Sequence, residues 1–234
     1  MPVLTLGQIS YSRSPRNLRK FDMPPRNATA RKILEAGRRL FNERGYAGTT
    51  IAEIAAATGI APGNLTYHFP TKHHLVVALR EDATERMEAR RSRRTDGDLI
   101  RRYMVRLADV YAVAADYRFL LRDRNQLDDA TENTAPPLSM VADYADLRAL
   151  LDQLEHEGFV RGDMDIDLDQ VARTLWILGR HWPDHLREME QRSELTEADR
   201  RNGMEHHLSI LLPNLTAAAR KRFRIELDAT APAT

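Results

Sequence analysis

Three short apolar-periodic segments, separated by tight glycine-bearing turns within about 45 residues, constrain this chain more than any other feature. Ala30, Ile33, Leu34, Gly37, Leu40 and Phe41 recur at the i, i+3, i+4, i+7 spacing of one helical face, which predicts a helix of about four turns. Pro24-Pro25 precede it, and Gly45 directly after Arg44 suits a C-cap. Thr49 is placed to cap a second, short helix with Ile51, Ile54 and Ala55 facing inward, and Thr58-Gly59 ends it. A third segment runs from about Ala61 to His68 with Pro62 in its first turn, where a missing N–H costs little. Two short helices across a tight glycine turn form either a helix-turn-helix or an ordinary αα corner.

Charge bears on that choice. The net charge of +1 hides a division of the chain near Arg94: the first 94 residues carry 17 Lys and Arg against 8 Asp and Glu, and the remainder 18 against 26. A basic first third, at +9, on an acidic body, at −8, fits a polyanion partner for the first third and a different task for the rest. The third segment points the same way. Asn64, Thr66, Tyr67 and His68 are small polar or aromatic groups suited to base edges and phosphates, while Leu65 and Phe69 anchor the segment inside.

On these residues the chain resembles the tetracycline-repressor (TetR) family of bacterial transcription regulators. The likeness runs through Ile33-Leu34, Ala36, Leu40-Phe41, Gly45-Tyr46, Thr49-Thr50, Ile54-Ala55 and Gly59-Ile60, and closes with Gly63-Asn64-Leu65-Thr66-Tyr67-His68-Phe69 and Lys72. Many members carry a Tyr directly after the Leu of the third helix; this chain has Thr66. The resemblance implies a third helix lying in the major groove of double-stranded DNA, with Thr49, Thr50, Pro62, Gly63, Asn64, Thr66, Tyr67 and His68 on the DNA side. Lys72, opening a fourth helix, would hold a phosphate.

Residues 1–25 scatter Arg13, Arg16, Arg19 and Lys20 among Ser, Pro and Asn, which reads as a flexible basic arm, either a minor-groove contact or a plain tail. The helix-turn-helix domain then occupies 26–71, a helical regulatory and dimerising domain 72–228, and a tail 229–234. Leu75, Val76 and Leu79 begin a linking helix to about Arg91. Further helical stripes follow at Leu99, Tyr103, Leu107, Val110 and Tyr111, then a shorter piece at Phe119, Leu120 and Leu127. After Pro136-Pro137 a long helix runs to Gly158, an acidic start at 165–169 opens another through Trp182, and the last two span about Glu197–Leu212 and Pro213–Leu227. No segment alternates as a strand, so the fold class is all-α.

Part of this body, Tyr117-Arg118-Phe119 with Arg122-Asp123, Glu157-Gly158-Phe159-Val160, and Leu175-Trp176 with Trp182, also resembles the C-terminal domain of one TetR subgroup. The resemblance implies a homodimer through late helices at about 167–190 and 196–212, with Leu208 and Leu211 as apolar contact positions. It also implies a small-molecule effector, largely apolar by the composition of the domain. The expected cavity lies between residues 99 and 182, lined in part by Tyr103, Leu107, Phe119, Leu151, Trp176 and Trp182. Arg118 and Arg122, if they face inward, must pair with an acid or meet the ligand.

Several other chemistries are disfavoured. With no Cys there is no disulfide framework, thiolate metal site or cysteine nucleophile, and an intracellular address is the natural expectation; the resemblance implies that this is a bacterial cytoplasm. No run reaches the ~18–20 apolar residues of a membrane span. His181 and His185, four apart beside Asp184, lack a third ligand and are interrupted by Pro183, and Asp163, Asp165, Asp167 and Asp169 lack the Gly and Glu of a calcium loop. No cofactor, metal or enzymatic activity is expected. The leading reading is a ligand-responsive repressor that releases a pseudo-palindromic operator; the alternative is a helical protein–protein adaptor that no longer reads DNA.

Overall fold

The computed structural model describes residues 27–93, 96–123, 126–127, 140–192 and 194–229. The expected arm over 1–25, Pro136-Pro137 and most of the tail fall outside them. Ten α-helices occur among the described residues: α1 (Ala28–Arg44), α2 (Ile51–Thr58), α3 (Pro62–His68), α4 (Lys72–Ser92), α5 (Leu99–Asp116), α6 (Arg118–Arg122), α7 (Met140–His156), α8 (Leu168–Met189), α9 (Glu197–Leu211) and α10 (Ala217–Ala229). Among those residues the only β pairing is a single bridge between Val160 and Leu215. The fold is all-α.

The helix ends follow from local side chains. Asn27 Oδ1 accepts from the Ala30 N–H and opens α1, and Gly45 at φ 82° closes it. Thr50, rather than the expected Thr49, caps α2: its hydroxyl accepts from the Glu53 N–H while the Glu53 carboxylate accepts from the Thr50 N–H, so two otherwise orphaned donors are satisfied reciprocally. Thr49 is instead fully buried, its hydroxyl donating to the carbonyls of Leu40 and Gly45. Gly59, at φ 65°, supplies the left-handed turn between α2 and α3. Asp98 and Asp167 cap α5 and α8 by accepting from first-turn N–H groups, and Thr196 caps α9 in a second reciprocal pair, with Asp199.

Two expectations about prolines are also corrected. Pro183 does not interrupt its helix, since α8 runs through it. Pro213 does not open the last helix: Leu212–Asn214 forms a 3-10 turn, Leu215 is pinned to Val160, and the helix starts at Ala217. Of the acidic cluster, Asp167 is the α8 cap and Asp163 is paired with Arg161, which holds its carboxyl below the usual range.

Apolar burial is organised in two cores. The first joins Ile33, Leu40, Phe41, Ile54, Leu65 and Phe69 of α1–α3 and the turn after α3 to Leu75 and Leu79 of α4, and also takes in Val113, Tyr117, Phe119, Leu120 and Leu127. It therefore crosses residue 71, the expected domain limit. The second core packs α5, α7, α8, α9 and α10 around Tyr103, Leu151, Leu154, Leu175, Leu208 and Phe223. Leu208 and Leu211 are buried within this protomer core, so they are not available as contact positions between subunits.

Candidate nucleic-acid interface and inner cavity

The surface of α3 divides as its sequence suggests. Leu65, His68 and the following Phe69 are buried, whereas Pro62, Gly63, Asn64, Thr66 and Tyr67 are exposed. Tyr67 stands out from the surface at 78% exposure, although an aromatic ring ordinarily favours burial. His68 lies under the helix against Tyr67 and Phe69, its Nδ1 buried without a hydrogen-bond partner. Thr50 is exposed and Thr49 is not. The outward groups therefore form a neutral hydrogen-bonding and aromatic face, with the net positive charge carried elsewhere in the first third of the chain.

Lys72 sits at the start of α4. Its ammonium donates to the carbonyls of Tyr46 (2.8 Å) and Thr49 (3.0 Å) and lies 4.2 Å from the centre of the Tyr46 ring. Burial lowers its pKa. Lys72 thus staples the α1–α2 loop to α4, using two of its three donors and leaving one for an external acceptor.

This unit is clamped to the α5–α6 corner. Asn42 of α1 donates from Nδ2 to the Asp116 carbonyl (2.8 Å) and accepts from the Phe119 N–H through Oδ1 (3.2 Å), while Arg38 donates to the same Asp116 carbonyl. Arg122 donates to the carbonyls of Phe41 and Asn42 and pairs with Asp123, whose carboxylate in turn accepts from the Tyr46 N–H at 2.7 Å. Asp123 raises the Arg122 pKa. Arg122 is therefore a structural clamp, away from the cavity expected for it. Arg118 borders a separate polar recess beside Arg38, Asn42 and Asp116, and burial lowers its pKa.

A cavity of about 160 Å³ lies between α4, α5, α7, α8 and α9. Of the residues singled out from the sequence, Tyr103, Leu107 and Trp176 line it. The others do not: Phe119 fills the first core against Phe41, Leu151 is buried in the second, and Trp182 stacks on His185 while its indole N–H donates to the Asp199 carbonyl. Sequence reasoning missed Tyr111 and His207 as cavity residues, although Tyr111 belongs to the same stripe as Tyr103 and Leu107. It also missed an ion-pair group at the wall. Arg91 of α4 bonds to Asp143 and Asp146 of α7, and Arg106 of α5 bonds to Asp146. Burial raises the Asp143 carboxyl against the opposing pull of Arg91 and Arg106. Deeper in, the Tyr103 hydroxyl and His207 Nε2 form a buried hydrogen bond of 2.8 Å. Desolvation drives the His207 pKa down to about 3, so its ring is neutral.

Residues 33–79 match the family described as bacterial regulatory proteins, tetR family, and residues 80–223 match the one described as bacterial transcriptional repressor. The chain is 34% identical over 88 residues to the HTH-type transcriptional regulator CymR of Pseudomonas putida, which is 36% of this chain and 43% of that protein. It is 45% identical over 58 residues to the HTH-type transcriptional repressor AcnR of Corynebacterium glutamicum, 24% of this chain and 31% of that one. The matched stretch spans less than half the length of either relative. A TetR-family regulator from Marinobacter aquaeolei VT8 superposes with a TM-score of 0.68 over 88% of this chain and all of its own, at 22% identity, a likeness of fold. With the two matches together running from 33 to 223, through both α3 and the body that encloses the cavity, the chain belongs to the tetR family of bacterial regulatory proteins.

Proposed function

We propose that this protein is a cytoplasmic transcriptional repressor that binds a pseudo-palindromic operator as a homodimer and lets go when a small molecule enters the cavity. It acts by binding, not by catalysis. Pro62, Gly63, Asn64, Thr66 and Tyr67 face the major groove, Thr50 lies beside them, and Lys72 offers its remaining donor to a phosphate. Thr49 and His68 act from beneath, by holding the loop and the reading helix in place. The observation that carries this reading is the exposed Tyr67 beside Asn64 and Thr66, on a helix whose opposite side is fully anchored.

Coupling follows from which helices belong to both regions. The N-terminal half of α4 packs in the first core, and its C-terminal half supplies Thr84, Met87, Glu88 and Arg91 to the cavity wall. Likewise, α5 lines the cavity with Tyr103, Leu107 and Tyr111 and ends at Asp116, which holds Asn42 and Arg38 of α1. A ligand that prefers one separation of α4, α5 and α7 shifts the balance between two orientations of α3, by no more than its differential affinity for them. Dimer contacts use the outward face of α8 at Thr174, Ile177, His181 and His185, with Asn202, His206 and Ser209 of α9. That arrangement sets two copies of α3 one helical turn of DNA apart, ~34–36 Å.

A gel-shift titration with the DNA upstream of the protein's own gene tests this. Specific retardation that weakens steeply with salt and is lost in Tyr67→Ala is expected. Absence of specific retardation by the wild-type protein would remove the reading.

A further inference from the structure

We propose that the cavity takes a small, uncharged, ring-sized molecule carrying one hydrogen-bond-accepting oxygen, of the ketone, aldehyde or ester class, and that the Tyr111 hydroxyl donates to that oxygen. The inference rests on the regulatory reading for its biological role, while the binding chemistry stands on the cavity itself.

Size comes first. A volume of about 160 Å³ is close to that of an engineered apolar cavity of ~150 Å³ known to hold benzene, so one ring with a short substituent fills it. Leu107, Val110, Leu147, Leu150 and Leu175 supply an apolar lining. The carboxylates and guanidiniums that line it balance: Glu88, Asp143 and Asp146 against Arg91, Arg106 and Arg180, with Arg91 and Arg106 engaged by Asp143 and Asp146. A ligand anion would have to break one of those pairs, and a cation would meet a guanidinium beside each of the Asp143 and Asp146 carboxylates. Neither sign of ligand charge is served.

The neutral polar groups are not balanced. Tyr111 is only 2% exposed, and its hydroxyl is buried with no hydrogen-bond partner. His207, 3% exposed, uses Nε2 on Tyr103 and leaves Nδ1 without a partner. A buried hydroxyl without a partner is unfavourable, and a site built around one discriminates strongly for a molecule that completes the bond. Burial pushes the Tyr111 phenol far above its ordinary pKa, so the group offers a proton rather than a charge. Because Tyr111 presents an O–H, the complementary group on the ligand is an acceptor oxygen.

The phenol is also held in place. Its ring lies so close to Gly203 of α9 that a Cβ there would fall 2.3 Å from Tyr111 Cε1, so the ring and the helix backbone are already in contact. Gly179 of α8, another residue of the cavity wall, is buried, yet a Cβ on it would meet nothing within 4 Å, so open space adjoins it.

Three ring compounds of similar size separate the possibilities: acetophenone, with a carbonyl; ethylbenzene, without one; and benzoate, with a charge. Titration calorimetry on the full-length protein should find acetophenone bound about five- to tenfold more tightly than ethylbenzene, with benzoate weakest. In Tyr111→Phe the ratio of the first two should fall to about one with ethylbenzene affinity retained, which also shows the cavity intact. In Gly179→Leu, which fills the space, both should lose binding while the melting temperature holds. An unchanged ratio in Tyr111→Phe, preferred binding of benzoate, or no binding by any of the three overturns the proposal. Operator release is measured separately. Tyr111-dependent binding that leaves DNA affinity unchanged sustains the site and refutes its regulatory role. Release by compounds that do not follow this pattern sustains the regulator and refutes the site.

Discussion

Replacing glycine by alanine should have opposite effects at Gly203 and Gly179, although both are buried in the middle of long helices. In an unstrained helix the exchange stabilises by about 0.5–1 kcal/mol, because alanine loses less backbone freedom on folding. At Gly179 nothing stands within 4 Å of the added methyl, so that gain should appear in full. At Gly203 the methyl would fall 2.3 Å from Tyr111 Cε1 and 2.7 and 2.8 Å from Trp182 Cδ1 and Nε1, all atoms of large rings. Neither ring can yield freely: Tyr111 is buried, and Trp182 is tied to the Asp199 carbonyl at 2.9 Å and stacked on His185. Overpacking of this kind costs about 1–3 kcal/mol and outweighs the propensity gain, leaving a net loss on the order of 1–2 kcal/mol. Urea unfolding at one fixed protomer concentration should raise the midpoint for Gly179→Ala and lower it for Gly203→Ala; in melting temperature each kcal/mol is about 2–4 °C for a chain of this size. If Gly203→Ala matched or exceeded wild-type stability, the close approach of α9 to Tyr111 and Trp182 would be wrong.

Tyr67→Ala should leave stability within about 0.5 kcal/mol of wild type, since the ring is 78% exposed, while operator affinity falls at least tenfold in a shift assay. Lys72→Ala should weaken binding to all DNA sequences alike and reduce the salt slope by about one, and it should also lower the melting temperature through loss of the Tyr46 and Thr49 contacts. Ile177→Glu, at a position 49% exposed on α8, should yield folded monomers in sedimentation, whereas Leu208→Glu should unfold the protomer; dimers persisting in Ile177→Glu would move the contact elsewhere. His207 has a folded pKa of about 3 against an ordinary 6.5, so the unfolded chain binds more protons between those values and stability falls as pH drops below 6.5. That loss reaches about 2 kcal/mol at pH 5, and His207→Gln should flatten it in urea midpoints measured against pH.

The α1–α3 unit was legible because its signals are local. Gly59 in the left-handed region, Pro62 in a first turn and the i, i+3, i+4 stripe of α1 each act within a few residues. Even the cap of α2, expected at Thr49, could have been placed at Thr50 from the sequence, since Glu53 lies three residues beyond Thr50, the spacing of a reciprocal cap. The cavity was legible only in part. Periodicity identifies the buried face of α5 and α8 but not which buried residues meet a void and which meet another side chain. Tyr103 and His207 are 104 residues apart, and Arg91 and Asp143 are 52 apart, so no local pattern announces either pair. For the same reason Arg122 read as a pocket residue, when its partners are carbonyls at the end of α1, some 80 residues earlier.

The core that crosses residue 71 bears on how such a protein can be recombined. A graft of residues 27–71 onto a foreign body would remove Phe119 from Phe41, Asp116 from Asn42 and Asp123 from Tyr46, leaving a hydrophobic base and several severed hydrogen bonds open to water. Hybrids cut at that point would be expected to fold poorly, or to bind DNA without answering to a ligand. On the proposed function, the exchangeable part is the outer skin of α3, Asn64, Thr66 and Tyr67, all exposed, which can be rewritten on this body while the Asp116, Phe119 and Asp123 contacts stay where they are.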